Sequence, residues 1–263
     1  MARLIGIIVC YYPQYQHKSV KLFKDILDSI TKDNKLIVVN NNPELPFSNQ
    51  YADAELKGSN TCWEFSGWDE SFRYITKNKI SNNPLLIMAN DTFCQHRFFG
   101  KLIKLKLILA IKKQLLTPFT KRVMGFTNSI GKEVNVFNMP LSQWISSYIF
   151  SIRLSDLKSI YPLSQVTTSN YKNYFHITDK RINFQNCDDK FNTHMNNWLF
   201  PNKENQGWYK NNKAIPLDIL IMKAITIANE KLLSLRCEKE NIRIVNIDKS
   251  FISQILNVLS KII

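Results

Sequence analysis

Glycine is scarce in this chain, with only seven among 263 residues. None of them forms a GxGxxG or a GxxxxGK loop, in which the backbone must approach a phosphate more closely than a side chain would allow. The sequence therefore disfavours a Rossmann dinucleotide site and a P-loop nucleotide site. A GxSxG nucleophile elbow and an HExxH zinc motif are also absent, which disfavours the hydrolase and zinc-protease chemistry that these motifs support.

Cysteine offers neither a zinc site nor a disulfide framework. The five cysteines are odd in number, widely spaced and without a CxxC pair; they are Cys10, Cys62, Cys94, Cys187 and Cys237. This usage favours a reducing compartment. The N-terminus lacks the pattern of a secretory signal, and no uninterrupted apolar run approaches the roughly 20 residues needed to span a bilayer. We therefore expect a cytoplasmic protein, either soluble or peripheral on the inner face of the cell membrane.

Acidic residues are missing from a long central stretch. No Asp or Glu lies between Asp91 and Glu133, whereas nine Lys and Arg residues do, in a chain with a net charge of +14. The nine are Arg97, Lys101, Lys104, Lys106, Lys112, Lys113, Lys121, Arg122 and Lys132. So concentrated a positive patch favours phosphate-bearing partners, namely lipid headgroups, a diphosphate ligand or nucleic acid. The alternative is a solvated face in a chain that is rich in Lys throughout.

Residues 101–116 have the composition of a helix whose two sides differ. One side is apolar and consists of Ile103, Leu107, Ala110 and Ile111, whereas the other mixes four lysines with four leucines. A helix on an anionic membrane surface needs this mixture, because acyl chains accept the leucines and headgroups accept the lysines. A helix buried on two sides, with Lys stems reaching solvent, is the alternative. We expect residues 97–122 to contact an anionic membrane and expect no nucleic-acid partner, because the basic residues lie among leucines rather than aromatics and Gly.

Three apolar runs predict a parallel sheet. Residues 4–9, 36–39 and 85–89 are apolar, and helix-length segments separate them. This order is typical of a βαβαβ unit in an α/β fold, with a mostly parallel sheet flanked by helices. Residues 19–30 and 63–75 carry apolar residues at helical spacing; in the second segment these are Phe65, Trp68, Phe72 and Ile75. Residues 143–152 predict a further strand.

Each of the three predicted strands ends in polar or aromatic residues. Tyr11 and Tyr12 follow the first strand, Asn40 and Asn41 follow the second, and Asp91 follows the third. Such tips meet at the carboxyl edge of a parallel sheet, where α/β proteins bind ligands. Tyrosine rings suit stacking on a base, amides suit hydrogen bonding to a base edge or ribose, and a carboxylate suits a divalent cation on a diphosphate. We expect Asp91 to lie outside the core, so that its replacement by Ala leaves the fold intact. Strand ends that are merely loops are the alternative.

The motifs resemble a known family. An apolar strand, an Asn-rich tip, a helix near Trp-Glu-Phe at residues 63–65, and a strand ending in Asn-Asp-Thr at residues 90–92 resemble the nucleotide-sugar half of GT-A glycosyltransferases. The resemblance is to glycosyltransferase family 2-like enzymes of bacterial capsule and O-antigen synthesis. It implies a GT-A-like nucleotide-binding fold, with Mn²⁺ or Mg²⁺ held by Asp91. The implied donor-binding residues are Tyr11, Tyr12, Asn40, Asn41, Asn60, Trp63, Asn90 and Asp91. The family commonly has Asp at the second strand tip and Asp-x-Asp at the third. This chain has only one carboxylate, Asp91, across these two strand tips.

The resemblance extends to about residue 200. Residues 144–157 are similar to the strand and short helix of the family's second half, and Asp188 and Asp189 take the position of its catalytic base. An acidic pair at a helix start also serves as a cap, so we expect one of the two to be essential and the other to be a cap. The next candidates for the base are Asp156, Asp179 and Glu64.

The resemblance implies a hexosyltransferase-like enzyme. It would move a sugar from a nucleotide-diphosphate donor to a glycan acceptor, lipid-linked, in capsule or lipopolysaccharide synthesis. The alternatives are a non-catalytic nucleotide- or nucleic-acid-binding protein and a degenerate transferase that acts as a complex partner. Trp63 either anchors the core or lines a sugar pocket. Trp198, Trp208 and Tyr209 either favour a sugar acceptor or pack as small satellite clusters. We expect a GT-A-like domain over residues 1–210 and a helical C-terminal extension, residues 211–263, packed on it.

Overall fold

The computed structural model describes residues 3–44, 49–95, 99–117, 120–200, 208 and 215–249. Within these residues the helices are α1 (Pro13–Ile30), α2 (Glu64–Lys77), α3 (Lys101–Leu116), α4 (Leu154–Ser159), α5 (Asp189–Leu199) and α6 (Leu217–Lys239). The strands are β1 (Leu4–Cys10), β2 (Asn34–Asn40), β3 (Ala54–Lys57), β4 (Leu85–Asn90), β5 (Arg122–Asn128), β6 (Val134–Val136), β7 (Met139–Leu141), β8 (Trp144–Arg153), β9 (Phe175–Ile177), β10 (Ile182–Phe184) and β11 (Arg243–Asn246).

Seven of the strands form one mostly parallel sheet. Their order is β11-β5-β8-β4-β1-β2-β3, and β8 alone runs antiparallel to its neighbours β4 and β5. In the central register, Ile7 of β1 lies opposite Ile37 of β2 and Met88 of β4. The predicted α/β class with a mostly parallel sheet flanked by helices is therefore confirmed. Two antiparallel pairs, β6-β7 and β9-β10, stand apart from this sheet.

Two apolar layers cover the sheet. Ile5, Ile7 and Val9 of β1 pack into one core with α2 and α6, whereas Ile8 and Cys10 pack into the other with α1 and α3. This alternation follows from the two-residue period of a strand, which sends successive side chains to opposite faces. A strand buried on both faces must be apolar throughout, as β1 is.

The predicted helices are present with small shifts in their bounds. The four residues of the predicted face in α2 are all buried, and α3 spans the predicted residues 101–116. Helix α1 begins six residues before the predicted start, at Pro13, since proline is well suited to a first helical position. The strand predicted at residues 143–152 is β8.

The C-terminal part of the chain supplies more than helices. Helix α6 packs against β8, and β11 pairs in parallel with β5 at the edge of the central sheet. The four residues of β11 are too few for a clear sequence period, which is why the sequence predicts only helix here. The apolar spacing at residues 251–262 lies outside the described residues, and the boundary at residue 210 stays a prediction.

None of the helices in the described ranges is both long enough and apolar enough to cross a bilayer.

Replacing Gly6 by Ala is expected to lower the free energy of unfolding by about 1–3 kcal/mol. The added methyl would lie 2.4 Å from Cδ1 of Leu27, so the Leu27 side chain or α1 itself must shift. Urea denaturation measures the change, with Lys21→Ala on the exposed side of α1 as the control. In a Leu27→Val background the cost should shrink, because valine lacks the clashing atom. An equal cost in that background would contradict the steric explanation.

Candidate functional site

The carboxyl ends of β1 and β4 form the natural ligand crevice of this sheet. The connection that leaves β1 runs through α1 to β2, towards one edge, whereas the connection that leaves β4 runs through α3 to β5, towards the other. Adjacent strands whose connections diverge in this way leave a gap above their carboxyl ends, and open α/β sheets bind their ligands there. Asp91, Tyr11 and Tyr12 all lie at this position.

Asp91 is buried and holds the crevice together. Its side-chain Oδ2 accepts hydrogen bonds from the backbone N–H groups of Tyr11 and Tyr12, each at 2.7 Å. Its own N–H donates to the carbonyl of Val9 at 2.9 Å, and its carbonyl accepts from the hydroxyl of Ser19. Only 2% of Asp91 is exposed. The expectation that this residue stands outside the core is therefore wrong, because the turn after β1 folds over it.

The carboxyl of Asp91 titrates near neutral pH. Burial raises its pKa to about 6, and this effect outweighs the two backbone hydrogen bonds, which lower the pKa. The negative charge acts on its neighbours in turn. Burial, and after it the charge of Asp91, raises the pKa of the Cys10 thiol and of the Tyr12 hydroxyl.

Tyr11 and Tyr12 present aromatic surface above the crevice. Tyr11 is 44% exposed and Tyr12 is 40% exposed, whereas most other aromatic rings of the described chain are packed. Their ring centroids are 5.2 Å apart in an edge-to-face arrangement, and Tyr15 lies 5.4 Å beyond Tyr12. Because Asp91 holds the backbone of both tyrosines, the two rings extend from a fixed backbone. A flat heterocycle such as a nucleobase could stack on them.

Asn40 and Asn41 are buried and support the neighbouring loops. The Asn41 amide donates to the carbonyl of Trp63 at 2.8 Å and to Oδ1 of Asn60 at 3.3 Å. The Oδ1 of Asn40 accepts from the backbone N–H of Asn42 at 2.9 Å. These contacts occupy the amide nitrogen of Asn41 and the amide oxygen of Asn40, which the sequence analysis assigns to nucleoside binding. A direct contact between either residue and a nucleoside stays a prediction. Asn90 acts similarly, because its Oδ1 accepts from the N–H and the hydroxyl of residue 92 and closes the turn after β4.

The loop that carries Asn60 and Trp63 is strained. Asn60 has a φ of 54° and Trp63 has a φ of 49° with a ψ of −130°. For a bulky residue such as tryptophan this is a rare conformation, and it persists only where the surroundings enforce it. Here the Trp63 carbonyl is held by the Asn41 amide and by the Ser66 hydroxyl, the latter at 2.9 Å. The strain places Trp63 and Glu64 where α2 begins.

Three tryptophans surround a lysine next to this loop. The Nζ of Lys223 lies 5.7 Å from the ring centroid of Trp63 and 5.2 Å from those of Trp198 and Trp208. The backbone N–H of Trp208 donates to the carbonyl of Trp198 at 2.8 Å. We call these four residues the Trp–Lys cluster. An ammonium over several indole faces is stabilised by cation–π attraction, so Lys223 holds the three rings in a fixed arrangement.

Two glutamates flank Lys223, and their environments differ. Burial raises the pKa of Glu64, against the opposing effects of the Lys223 charge and of a hydrogen bond with the Ser147 side chain. Burial also opposes the ionisation of Glu230, but the Lys231 ammonium at 2.7 Å and the Ser147 N–H at 2.8 Å outweigh it, so the pKa of Glu230 is lowered. Burial lowers the pKa of Lys223, and the charges of Glu64 and Glu230 oppose that shift.

Asp188 and Asp189 lie at the N-terminal end of α5. Both are exposed, and Asp188 is tied to β6, where its Oδ2 accepts from the N–H of Asn135 at 2.6 Å. Asp188 makes no side-chain cap bond to α5. It lines a cavity of about 350 Å³ together with Glu133, Val134, Asn135, Asn138 and Pro140. From Asp189 to Trp198 the helix rises by roughly 14 Å, so the acidic pair is distant from the Trp–Lys cluster. Its catalytic role stays a prediction.

The residues around Asp91 do not fit a divalent cation held by protein side chains alone. One oxygen of this carboxylate already accepts two backbone hydrogen bonds. Across the described ranges, no group of three or more His, Cys, Asp or Glu side chains could hold a metal ion. The described side chains around Asp91 therefore do not form a metal site by themselves.

No protein-family model matches the chain, and no curated protein is significantly similar to it.

Sequence reasoning misses Lys223, Glu230 and Ser147, and it ranks Glu64 behind other candidates. A signal was available, because Lys223 and Glu230 are seven residues apart in α6 and so share one face. Charged residues on a buried helical face are rare unless they are paired, which makes such a spacing informative.

Asp91→Asn is expected to be more stable than the wild type above pH 6. Since the pKa of folded Asp91 is raised to about 6, its stabilising contribution is complete below an unfolded pKa of about 3.9 and is lost as the pH rises through about 6. Asparagine keeps an oxygen acceptor and carries no charge, so it should gain up to about 3 kcal/mol at pH 8 and little at pH 4.

Urea denaturation between pH 4 and pH 8 measures this difference, with the exposed Asp25→Asn as the control. Asp91→Ala should instead lose about 1–3 kcal/mol at pH 4, because two buried N–H groups lose their acceptor, and should lose less at pH 8, where the ionised carboxylate destabilises the wild type itself. An Asn variant that is less stable than the wild type at pH 8 would show that the ionised carboxylate is needed for folding.

Proposed function

We propose that this chain is a GT-A-like glycosyltransferase that moves a sugar from a nucleoside-diphosphate donor to a glycan acceptor. The observation that carries the proposal is the pair Tyr11 and Tyr12, exposed above the diverging ends of β1 and β4 and anchored by buried Asp91. The mostly parallel sheet with one antiparallel strand is compatible with that fold, and the motif order at residues 60–92 supports it. A hexose donor and a role in capsule or O-antigen synthesis are part of the proposal.

The donor is proposed to lie along the carboxyl ends of β1 and β4. Its base would stack on the exposed face of Tyr11 or Tyr12. Its diphosphate would meet the start of α1, whose first turn contains no acidic residue. Asp91 contributes by holding the two tyrosine N–H groups and the start of α1 in place.

The acceptor is proposed to approach from the side of the Trp–Lys cluster. Indole rings offer broad apolar faces against which the C–H face of a sugar can pack, and Lys223 and Glu64 offer polar atoms beside them. Trp63 belongs both to this cluster and to the strained loop beside the crevice, so it connects the proposed donor and acceptor sides.

Helix α3 is proposed to hold the enzyme on an anionic membrane. Leu105 is 42% exposed and Leu116 is 75% exposed. Lys101, Lys112 and Lys113 share the exposed stripe with them. Lys106 is excluded from this surface, because it is buried and lies 3.6 Å from a carboxylate oxygen of Asp248. Leucine and lysine exposed on one stripe support an interfacial helix and a lipid-linked acceptor. Arg97 lies outside the described residues.

A nucleotide-binding protein without transferase activity is the second candidate. It is favoured by the single carboxylate at the strand tips, where related enzymes commonly have more. Such a protein would bind the donor without consuming it, so the first of the following experiments distinguishes the two.

Uridine, thymidine and guanosine diphosphate sugars are the probes for the donor site. One of them should raise the melting temperature of the wild type, since a ligand at 100 times its Kd contributes about 2.7 kcal/mol. Tyr11→Ala should lose this shift, whereas Leu217→Ala, which removes an equally exposed apolar side chain, should keep it. Release of the nucleoside diphosphate indicates a transferase, and a shift without release indicates the second candidate. No shift with any of the sugars would contradict the donor site.

Flotation with liposomes tests the membrane surface. Binding to vesicles that contain phosphatidylglycerol should exceed binding to pure phosphatidylcholine and should weaken with salt, because each Lys near the surface contributes about 1 kcal/mol. The triple variant Lys101→Glu, Lys112→Glu, Lys113→Glu should lose binding. Lys18→Glu, Lys21→Glu, Lys32→Glu changes the charge equally at exposed positions of α1 and just after it, and should retain it. Equal loss in both variants would indicate net charge rather than α3.

A further inference from the structure

Glu64 occupies the junction between the two sides of the proposed site. It is the first residue of α2, directly after the strained Trp63, and its charge reaches Tyr12 on the donor side. On the other side it interacts with the Ser147 side chain of β8 and with Lys223 of α6. The ring centroid of Trp63, its neighbour in the chain, lies 5.7 Å from the Nζ of Lys223. Two other candidate carboxylates lie elsewhere. Asp179 is exposed in the β9–β10 turn, and Asp156 is buried in α4, where Arg153 and Lys121 act on it.

Glu64 and Glu230 are equipped for different roles. Glu230 is committed to structure, since one oxygen accepts the Ser147 N–H and the other pairs with Lys231. Glu64 has no such commitment to a buried cation at contact distance. Where neighbouring carboxyls have environments that push their proton affinities apart, the one with the higher affinity is suited to proton transfer.

We propose that Glu64 removes the proton from the acceptor hydroxyl, with Ser147 and Lys223 as its positioning residues. The inference rests on the proposed transferase function. The O–H bond breaks and the proton goes to a Glu64 oxygen. The freed oxygen pair forms the bond to the anomeric carbon, and the bond from that carbon to the diphosphate oxygen breaks. The nucleoside diphosphate leaves with that electron pair, and the configuration at the anomeric carbon inverts.

The location separates Glu64 from the acidic pair of α5. Glu64 adjoins Trp63 and Lys223, whereas Asp189 is roughly 14 Å from Trp198 along the helix. A general base must come within hydrogen-bonding distance of the hydroxyl it deprotonates. An acceptor packed on the Trp–Lys cluster therefore meets Glu64 first.

Other titratable groups face this region and have to be separated from Glu64 in any pH profile. Lys223, Glu230 and Lys231 come from α6, Tyr12 precedes α1, and Asp91 follows β4. In α5, partial burial of the His194 ring, and after it the Lys231 charge, lowers the pKa of that imidazole. Because a base must be ionised, turnover falls as the pH drops through the pKa of Glu64. Ser147 and Lys223 hold that pKa down, so their loss moves the fall to higher pH.

The experiment measures nucleoside diphosphate release from whichever donor binds, with water and with lipid-linked glycosides as acceptors. Glu64→Gln should lower turnover by about 10²–10⁴-fold and abolish the acidic limb of the pH profile. The donor-induced thermal shift should survive. Glu238→Gln, at an exposed position near the end of α6, is the control and should resemble the wild type. Ser147→Ala should move the acidic limb to higher pH, and Asp91→Asn should retain the limb.

Each outcome decides the question. A wild type that neither binds nor cleaves any of the donors overturns both the transferase and this inference. An active wild type with normal turnover in Glu64→Gln overturns the role of Glu64 and leaves the transferase standing. Loss of the acidic limb in Asp188→Asn or Asp189→Asn, but not in Glu64→Gln, assigns the base to α5. If Glu64→Gln fails to fold, Ser147→Ala decides, and an unshifted limb overturns the proposal.

Discussion

One buried carboxylate organises the crevice of this molecule. Asp91 leaves β4 and accepts both N–H groups of the turn that leaves β1, at 2.7 Å each. Burial of a carboxylate is costly, and charge-assisted hydrogen bonds from two backbone N–H groups offset that cost in part. In return, the turn cannot move independently of the sheet. Tyr11 and Tyr12 are therefore exposed and yet fixed at their backbone, and α1 starts at a defined place above the gap.

The far side of the crevice depends on residues that the chain supplies much later. Helix α6 packs on β8, places Lys223 beside the Trp63 ring of the loop before α2, and directs Glu230 to the Ser147 N–H of β8. The Ser147 backbone and the Trp63 ring are their counterparts, so α6 and the site constrain each other. The pairing of β11 with β5 then secures the end of the segment that carries α6. The C-terminal segment is thus part of the site as well as of the sheet.

The sequence predicts the strands and helices well because their signals are local. The apolar runs of β1, β2 and β4 and the faces of α2 and α3 need only the periods of strand and helix. Burial of Asp91 could not be predicted, because it depends on a turn eighty residues earlier that folds over the strand end. The roles of Asn40 and Asn41 depend in the same way on loops that pack against them. Tip residues identify the edge of a sheet where chemistry can occur, but their orientation is a tertiary property.

Several unfavourable features lie at the carboxyl edge of the sheet. Trp63 has a positive φ, Asp91 has a raised pKa, and the buried Oδ1 of Asn41 has no hydrogen-bond partner among the described residues. At the opposite edge, buried Arg153 and Asp156 attract each other, and Arg153 donates to three backbone carbonyls. In the interior, Asp69 accepts three hydrogen bonds. Buried polar atoms without a partner among the described residues also occur at the opposite edge, namely Nε of Arg153 and Oδ2 of Asp156. The crevice differs in having two exposed aromatic rings anchored by a buried carboxylate, and this combination is why we assign the proposed chemistry to the carboxyl ends of β1 and β4.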